Sequence, residues 1–216
     1  MTSILLAGAT GLVGGLCLQR LLADPAFERI VVLTRRPLPE RTQQSKLEQH
    51  VVDFARLQDD AGLFQVDQVL CALGSTIKQA GSQERFREID YDYALQLARL
   101  GIAQGAQHFL LVSALGANRH SKVFYNRVKG ELEADVRSLA YRSITIVRPS
   151  LLLGDRAQFR MGEEIGKRLA FFVPGNCKPV QANDVAKVLV DAARSDEVGV
   201  RVIESAEIRS RAARIM

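Results

Sequence analysis

Three glycines at every third position, Gly8-Ala9-Thr10-Gly11-Leu12-Val13-Gly14, constrain this chain more than any other feature because of where they fall. The short, largely apolar run Ser3-Ile4-Leu5-Leu6-Ala7 precedes them, and from Leu12 to Ala23 the apolar residues recur at helical spacing until Pro25. Strand, glycine turn and helix in that order predict the phosphate-binding start of a dinucleotide site. Gly8 suits the tight turn, Gly11 lets backbone approach a pyrophosphate, and Gly14 lets the helix pack close to the strand. Exposed amides and the helix dipole then favour an anion, which makes Gly8, Thr10, Gly11, Leu12, Val13 and Gly14 the candidate phosphate-side residues. No Gly-Lys-Ser/Thr follows, so a loop of the NTPase kind is disfavoured. Anywhere else in the chain the same glycines would read as ordinary turn and packing residues.

The alternation continues. Short apolar segments at Arg29 to Thr34, His50 to Asp53, Gln68 to Leu73, His108 to Ser113, Ser143 to Arg148 and Val200 to Glu204 read as strands buried on both faces. Helical spacing marks about 82–104, 123–139 and 182–194, with Asn183 placed to cap the last, and the basic stretch from Arg209 reads as a terminal helix or a frayed end. Strands of this kind separated by helices predict an α/β fold, a doubly wound parallel sheet of the Rossmann type. At 216 residues, without repeat or linker, one domain over 1–216 is expected, with a small substrate-side segment at about 154–180.

Composition narrows the partners. The net charge of +5 suits anionic ligands, but the basic residues are scattered and aromatics make up 6%, so no nucleic-acid surface is expected. No window approaches about 18 consecutive apolar residues and no secretory signal is evident, so the expectation is a cytoplasmic protein with no membrane contact. Cys17, Cys71 and Cys177 lack CxxC spacing and read as buried thiols; His50, His108 and His120 lack metal-ligand spacing, and no metal is expected.

An NAD-binding chain of this design usually ends its second strand on Asp or Glu, which bonds the ribose 2′-hydroxyl. This chain has Thr34-Arg35-Arg36, whose guanidinium groups would instead grip a 2′-phosphate, so NADP(H) is the expected cofactor. Plain surface charge ahead of a proline loop is the other reading of the two arginines. Asp53 and Phe54, at the end of the third strand, would lie near adenine, although Phe54 reads equally as core.

Tyr125-Asn126-Arg127-Val128-Lys129 sets a phenol and an ammonium one helical turn apart on one face. A cation so placed stabilises phenolate and suits the pair to acid–base work. Equally, Lys129 could pair with Glu133, and Tyr125 could be a packing residue. Ser113 closes the strand Phe109 to Val112 at the carboxyl edge of the sheet, where open α/β folds bind ligands.

With these residues in place the chain resembles the short-chain dehydrogenases and reductases over nearly its whole length. Gly8 to Gly14 matches the glycine motif of the superfamily's extended and atypical members, and Ser113, Tyr125 and Lys129 match its catalytic trio in order and spacing. Leu33 to Pro37, Val112 to Ala117 and Tyr125 to Glu131 resemble the atypical subgroup containing the human Tat-interacting protein. The resemblance implies that Tyr125 donates and accepts the proton, that Ser113 orients the substrate carbonyl, and that Lys129 bonds the nicotinamide ribose and favours the phenolate. It also implies that Ala72, Leu73 and Gly74 lie near the adenosine half and Pro149 near the nicotinamide.

The expected function is an NADP(H)-dependent oxidoreductase of a small carbonyl or alcohol. The alternative is an NADP(H)-binding regulatory or redox-sensing protein without turnover, which would act on a protein partner; a third reading is an epimerase or dehydratase using hydride transfer transiently. Substrate choice would rest on loops 74–82, 114–122 and 154–180, where Phe159, Met161, Phe171 and Phe172 would wall an apolar pocket or pack a helix.

Overall fold

The computed structural model describes residues 2–39, 44–154 and 178–215. Seven parallel strands form its central sheet: β1 (Thr2–Ala7), β2 (Phe27–Thr34), β3 (Leu47–Val51), β4 (Gln68–Cys71), β5 (His108–Val112), β6 (Ser143–Arg148) and β9 (Gly199–Glu204). Their order is β3-β2-β1-β4-β5-β6-β9, and β7 (Leu152–Leu153) pairs separately with β8 (Val180–Gln181). The order reverses between β1 and β4, and that crevice is where doubly wound sheets bind ligands.

Period-two alternation within apolar strands explains the layers. Ile4 and Leu6 of β1 join a core with Leu18, Leu21, Val185 and Leu189, while Leu5 and Ala7 join a second with Leu57, Leu97, Phe109 and Leu132. The first core lies under α1 (Leu12–Ala23) and α6 (Ala182–Ser195), the second under α4 (Tyr93–Ala103) and α5 (Phe124–Arg137). Each fully buried Leu or Ile contributes about 1.5–3 kcal/mol relative to exposure. Cys17 and Cys71 are buried and free, and burial pushes their thiols up to about 12 and about 11.

Several boundaries differ from the sequence expectation. The third strand runs from Leu47 to Val51, earlier than His50 to Asp53, because it is an edge strand with a partly exposed face and lacks the continuous apolar run of the inner strands. Phe54–Phe64 forms a 3-10 stretch that no periodicity marked. Asn183 lies inside the first turn of α6 and accepts from Arg20 (2.8 Å) instead of capping; the cap position is Gln181. The stretch at 82–104 holds α3 (Gln83–Arg87), one wide π turn (Glu88–Asp92) and α4 in succession. Ser205–Ala212 forms the terminal helix α7, and α2 (Ile77–Ala80) is a single turn in the loop after β4. Residues 155–177, with Cys177 and the four apolar residues that read as helix packing or a pocket wall, lie outside the described residues.

Candidate cofactor and active site

Backbone contact makes the glycine turn. Gly8 has φ +94°, and a Cβ there would stand 2.5 Å from the Ala72 carbonyl oxygen; one at Gly14 would stand 2.1 Å from the Gly8 oxygen. The ends of β1 and β4 and the start of α1 are thus pressed together at distances no side chain tolerates. Gly11 N–H donates to the Gly8 oxygen (2.8 Å), and a Cβ on Gly11 would reach that oxygen at 2.9 Å, so the turn itself requires this glycine before any ligand does. No side chain caps α1 and no acidic residue occupies its first turn. A helix N-terminus without acidic side chains in its first turn fits an anionic pyrophosphate.

From this turn a cavity of about 550 Å³ crosses the sheet edge. Gly11, Leu12 and Val13 line one end, Ala72, Leu73 and Gly74 the middle, and Ser113, Tyr125, Lys129 and Pro149 the far end. Residues more than a hundred positions apart share one wall because β1, β4, β5 and β6 end side by side. Gly8 and Gly14 shape the turn from behind, and Thr10 is exposed on its rim.

The second-strand residues lie outside that cavity. Arg35 and Arg36 are exposed, and among the described residues neither makes an ion pair or hydrogen bond. Two expectations need correction. Thr34 is buried, and its hydroxyl donates to the His50 carbonyl (3.4 Å), so it is committed to the β2–β3 edge and not open to a ribose. The Phe54 ring is core, packed 5.9 Å from Tyr93, because the chain turns inward after Asp53. Asp53 is exposed and accepts from Ala55 N–H (3.0 Å), capping the 3-10 stretch.

At the far end, Tyr125 is half-buried with its ring 5.3 Å from Phe86, and no hydrogen bond among the described residues occupies its phenol. Lys129, one turn on, is 3% exposed, and its Nζ lies 2.7 Å from Asp90 Oδ1. Burial opposes the ammonium, but the Asp90 carboxylate and the Tyr125 phenol outweigh it, and the lysine sits above its ordinary value. Asp90, fully buried in the π turn, also accepts from Ser75 N–H (2.9 Å) and Ser75 Oγ (2.8 Å), tying Lys129 to the loop after β4. Lys129 therefore does not take Glu133 as its partner.

Glu133 has other work. It is 2% exposed on α5, and its carboxylate accepts from Arg148 Nε on Oε1 (2.9 Å), and from Arg148 Nη2 (2.5 Å) and Arg137 Nη2 (3.3 Å) on Oε2. Ser113 Oγ donates to Oε1 at 2.5 Å. Arg148, at the end of β6, bonds Glu204 as well (2.8 Å), and the bond to Glu133 leads the causes that hold its guanidinium above the ordinary range.

Asp90, Glu133 and Arg148 were not among the candidate site residues, yet each carried a signal. Asp90 interrupts the buried positions Phe86, Ala94 and Leu97 with a carboxylate, which must be paired to be stable there. Glu133 continues the Tyr125, Lys129 spacing by four more residues, and Arg148 ends an apolar strand.

A family model described as NAD(P)H-binding matches residues 8–196. Rat protein HTATIP2 is 36% identical over 80% of this chain and 72% of its own length. Protein FMP52 of Candida albicans, named mitochondrial, is 34% identical over 89% of this chain and 88% of its own. Among solved structures, MoeE5 in complex with UDP-glucose and NAD superposes with TM-score 0.73 at 14% identity, covering 100% of this chain and 82% of that one. A UDP-glucose 4-epimerase from Thermotoga maritima gives 0.70 at 16%, over 98% and 80%. At such identities these structures speak for the fold alone. Among the described residues no helix is long and apolar enough to cross a membrane, and the word mitochondrial in the yeast relative's name leaves the cytoplasmic expectation without support.

Proposed function

Because this chain belongs to the NAD(P)H-binding family, as an atypical short-chain dehydrogenase/reductase similar to HTATIP2, we propose that it is an NADP(H)-dependent oxidoreductase of a small carbonyl or alcohol. The observation that carries this reading is the single cavity running from Gly11 to Tyr125 and Lys129. Its glycine end and the α1 amides would hold the pyrophosphate, with Ala72, Leu73 and Gly74 along the adenosine half and Pro149 near the nicotinamide. Arg35 and Arg36, exposed at the end of β2, would take the 2′-phosphate. When bound, NADPH supplies the hydride. Tyr125 passes a proton to or from the substrate oxygen, Lys129 holds the ribose and stabilises the phenolate, and Ser113 orients the substrate.

Titration of the purified protein should give tighter binding of NADPH than of NADH. Replacing both arginines, Arg35→Ala with Arg36→Ala, should remove most of the difference, since each charged hydrogen bond is worth about 1.5–3 kcal/mol, tenfold or more. Equal affinities in the unmodified protein would overturn the NADP(H) assignment.

One observation favours a second reading, a redox-sensing binding protein without turnover: the polar ends of Ser113 and Lys129 are each already engaged by a buried carboxylate. Consumption of NADPH with a panel of aldehydes, ketones and quinones separates the two, as a sensor would bind the cofactor and leave it unconsumed.

A further inference from the structure

A serine hydroxyl has one proton to give, and the proton of Ser113 is already spoken for. Its Oγ stands 2.5 Å from Glu133 Oε1, and Glu133 can only accept, because guanidinium N–H groups of Arg148 and Arg137 occupy its two oxygens at 2.5, 2.9 and 3.3 Å. Buried at 2% exposure and braced by Arg148, which is itself anchored to Glu204, this carboxylate has no room to turn away. Ser113 meanwhile lines the same cavity wall as Tyr125 and Lys129.

We propose that Glu133 is a positioning residue that draws the Ser113 proton out of the cavity, so that Ser113 offers a substrate its lone pairs alone and selects substrates carrying a hydrogen-bond donor beside the reacting carbon. The substrate class is then an α-hydroxycarbonyl, or the corresponding diol in the oxidising direction, in preference to a plain ketone. Lys129 gives one N–H to Asp90 and keeps two for the cofactor ribose, so in this reading Tyr125 is the proton donor to the carbonyl oxygen. A plain ketone oxygen near Ser113 would meet a second acceptor and gain nothing; a neighbouring hydroxyl would meet a partner. This refines the role of Ser113, from orienting a carbonyl by donation to orienting a substrate by acceptance, and it rests on the oxidoreductase reading of the same cavity.

The test uses a matched pair of probes, cyclohexanone and 2-hydroxycyclohexanone, titrated calorimetrically into the full chain saturated with NADP⁺, so binding is read without turnover. The hydroxyketone should bind about tenfold more tightly, the worth of one good hydrogen bond. Ser113→Ala, which leaves the Glu133–Arg148 pair intact, should abolish the preference. Glu133→Met keeps the length of the side chain and removes the acceptor, which frees the serine proton, so it should cancel the preference or invert it towards cyclohexanone while NADP⁺ affinity holds. Equal binding of the two probes to the unmodified protein, including failure of both to bind, overturns the proposal, as does an unchanged preference in either variant. Joint loss of NADP⁺ and probe affinity in Glu133→Met would make Glu133 merely structural and overturn it too. A preference for the hydroxyketone without its reduction by NADPH would keep Ser113 as an acceptor in the cavity and overturn the substrate assignment that rests on the oxidoreductase reading.

Discussion

At the carboxyl ends of β1 and β2 the candidate site residues are backbone and open surface charge, whereas at the ends of β5 and β6 they are side-chain charges buried and paired. The first half depends on absence: Gly8, Gly11 and Gly14 work because nothing projects from them, and Arg35 and Arg36 stand exposed. The second half depends on completion. Lys129 needs Asp90, and Ser113 and Glu133 need Arg148, so each group is stable inside the protein through partners far away in the chain. The difference teaches where cofactor affinity and folding stability are coupled. Charge can be removed from the first half with little structural consequence, while in the second half each group holds up the fold as well as the chemistry.

The largest expected effect tests that coupling directly. Asp90→Ala would leave the Lys129 ammonium buried and unpaired, a loss of about 3–5 kcal/mol in urea unfolding, while the double arginine change should stay within about 0.5 kcal/mol. Comparable losses in both proteins would erase the distinction between the halves. Next in size, Tyr125→Phe should lower kcat at least ~100-fold with NADPH affinity and melting temperature nearly unchanged, because among the described residues the phenol makes no hydrogen bond and the ring contact with Phe86 survives. Full activity in that protein would remove Tyr125 from the mechanism.

The smallest effect lies at the other end of β5. His108 is fully buried, its Nε2 is 3.0 Å from Thr145 Oγ1, and its Nδ1 is 3.1 Å from Asp196 Oδ1 without hydrogen-bond alignment. Burial lowers the imidazole from 6.5 to about 4, against the pull of Asp196, with Arg201 and Arg142 reinforcing the drop. The folded state thus holds the neutral ring. The stability this contributes is present in full above about pH 6.5 and is lost as pH falls towards 4. Melting temperatures across that range should fall less steeply for His108→Gln than for the unmodified protein. Identical slopes would show that the amino edge of the sheet carries no such buried titration.

The same contrast explains what could be read from residues alone. The Gly8–Gly14 turn and the apolar inner strands are local patterns, so the doubly wound sheet and the tight turn between β1 and α1 were legible from the residues alone. Tyr125 and Lys129 were legible as a pair because one helix turn joins them. Their partners were not: Asp90 reaches Lys129 across 39 positions and Arg148 reaches Glu133 across 15, and no periodicity encodes a contact between separate elements. β3 slipped because an edge strand carries a weaker apolar signature than an inner one. Thr34 and Phe54 turn out buried because sitting near a strand's end fixes where a residue is and leaves open which way its side chain points.

The wide turn at Glu88–Asp92 has an implication for how this helix can change over time. A regular helix turns about 100° per residue, so every residue added to or taken from a turn rotates all that follows by that angle. Asp90 is aimed at Lys129 from within the wide turn, while Ala94, Leu97 and Ala98 beyond it are seated in the core. Trimming Tyr91 or Asp92 to restore a regular helix would put these two alignments out of phase. A lineage could keep the lysine's counter-charge or keep the apolar seat, and it could not keep both. The irregular turn is therefore a phase adjuster, and its length is as constrained as the identity of the aspartate it carries.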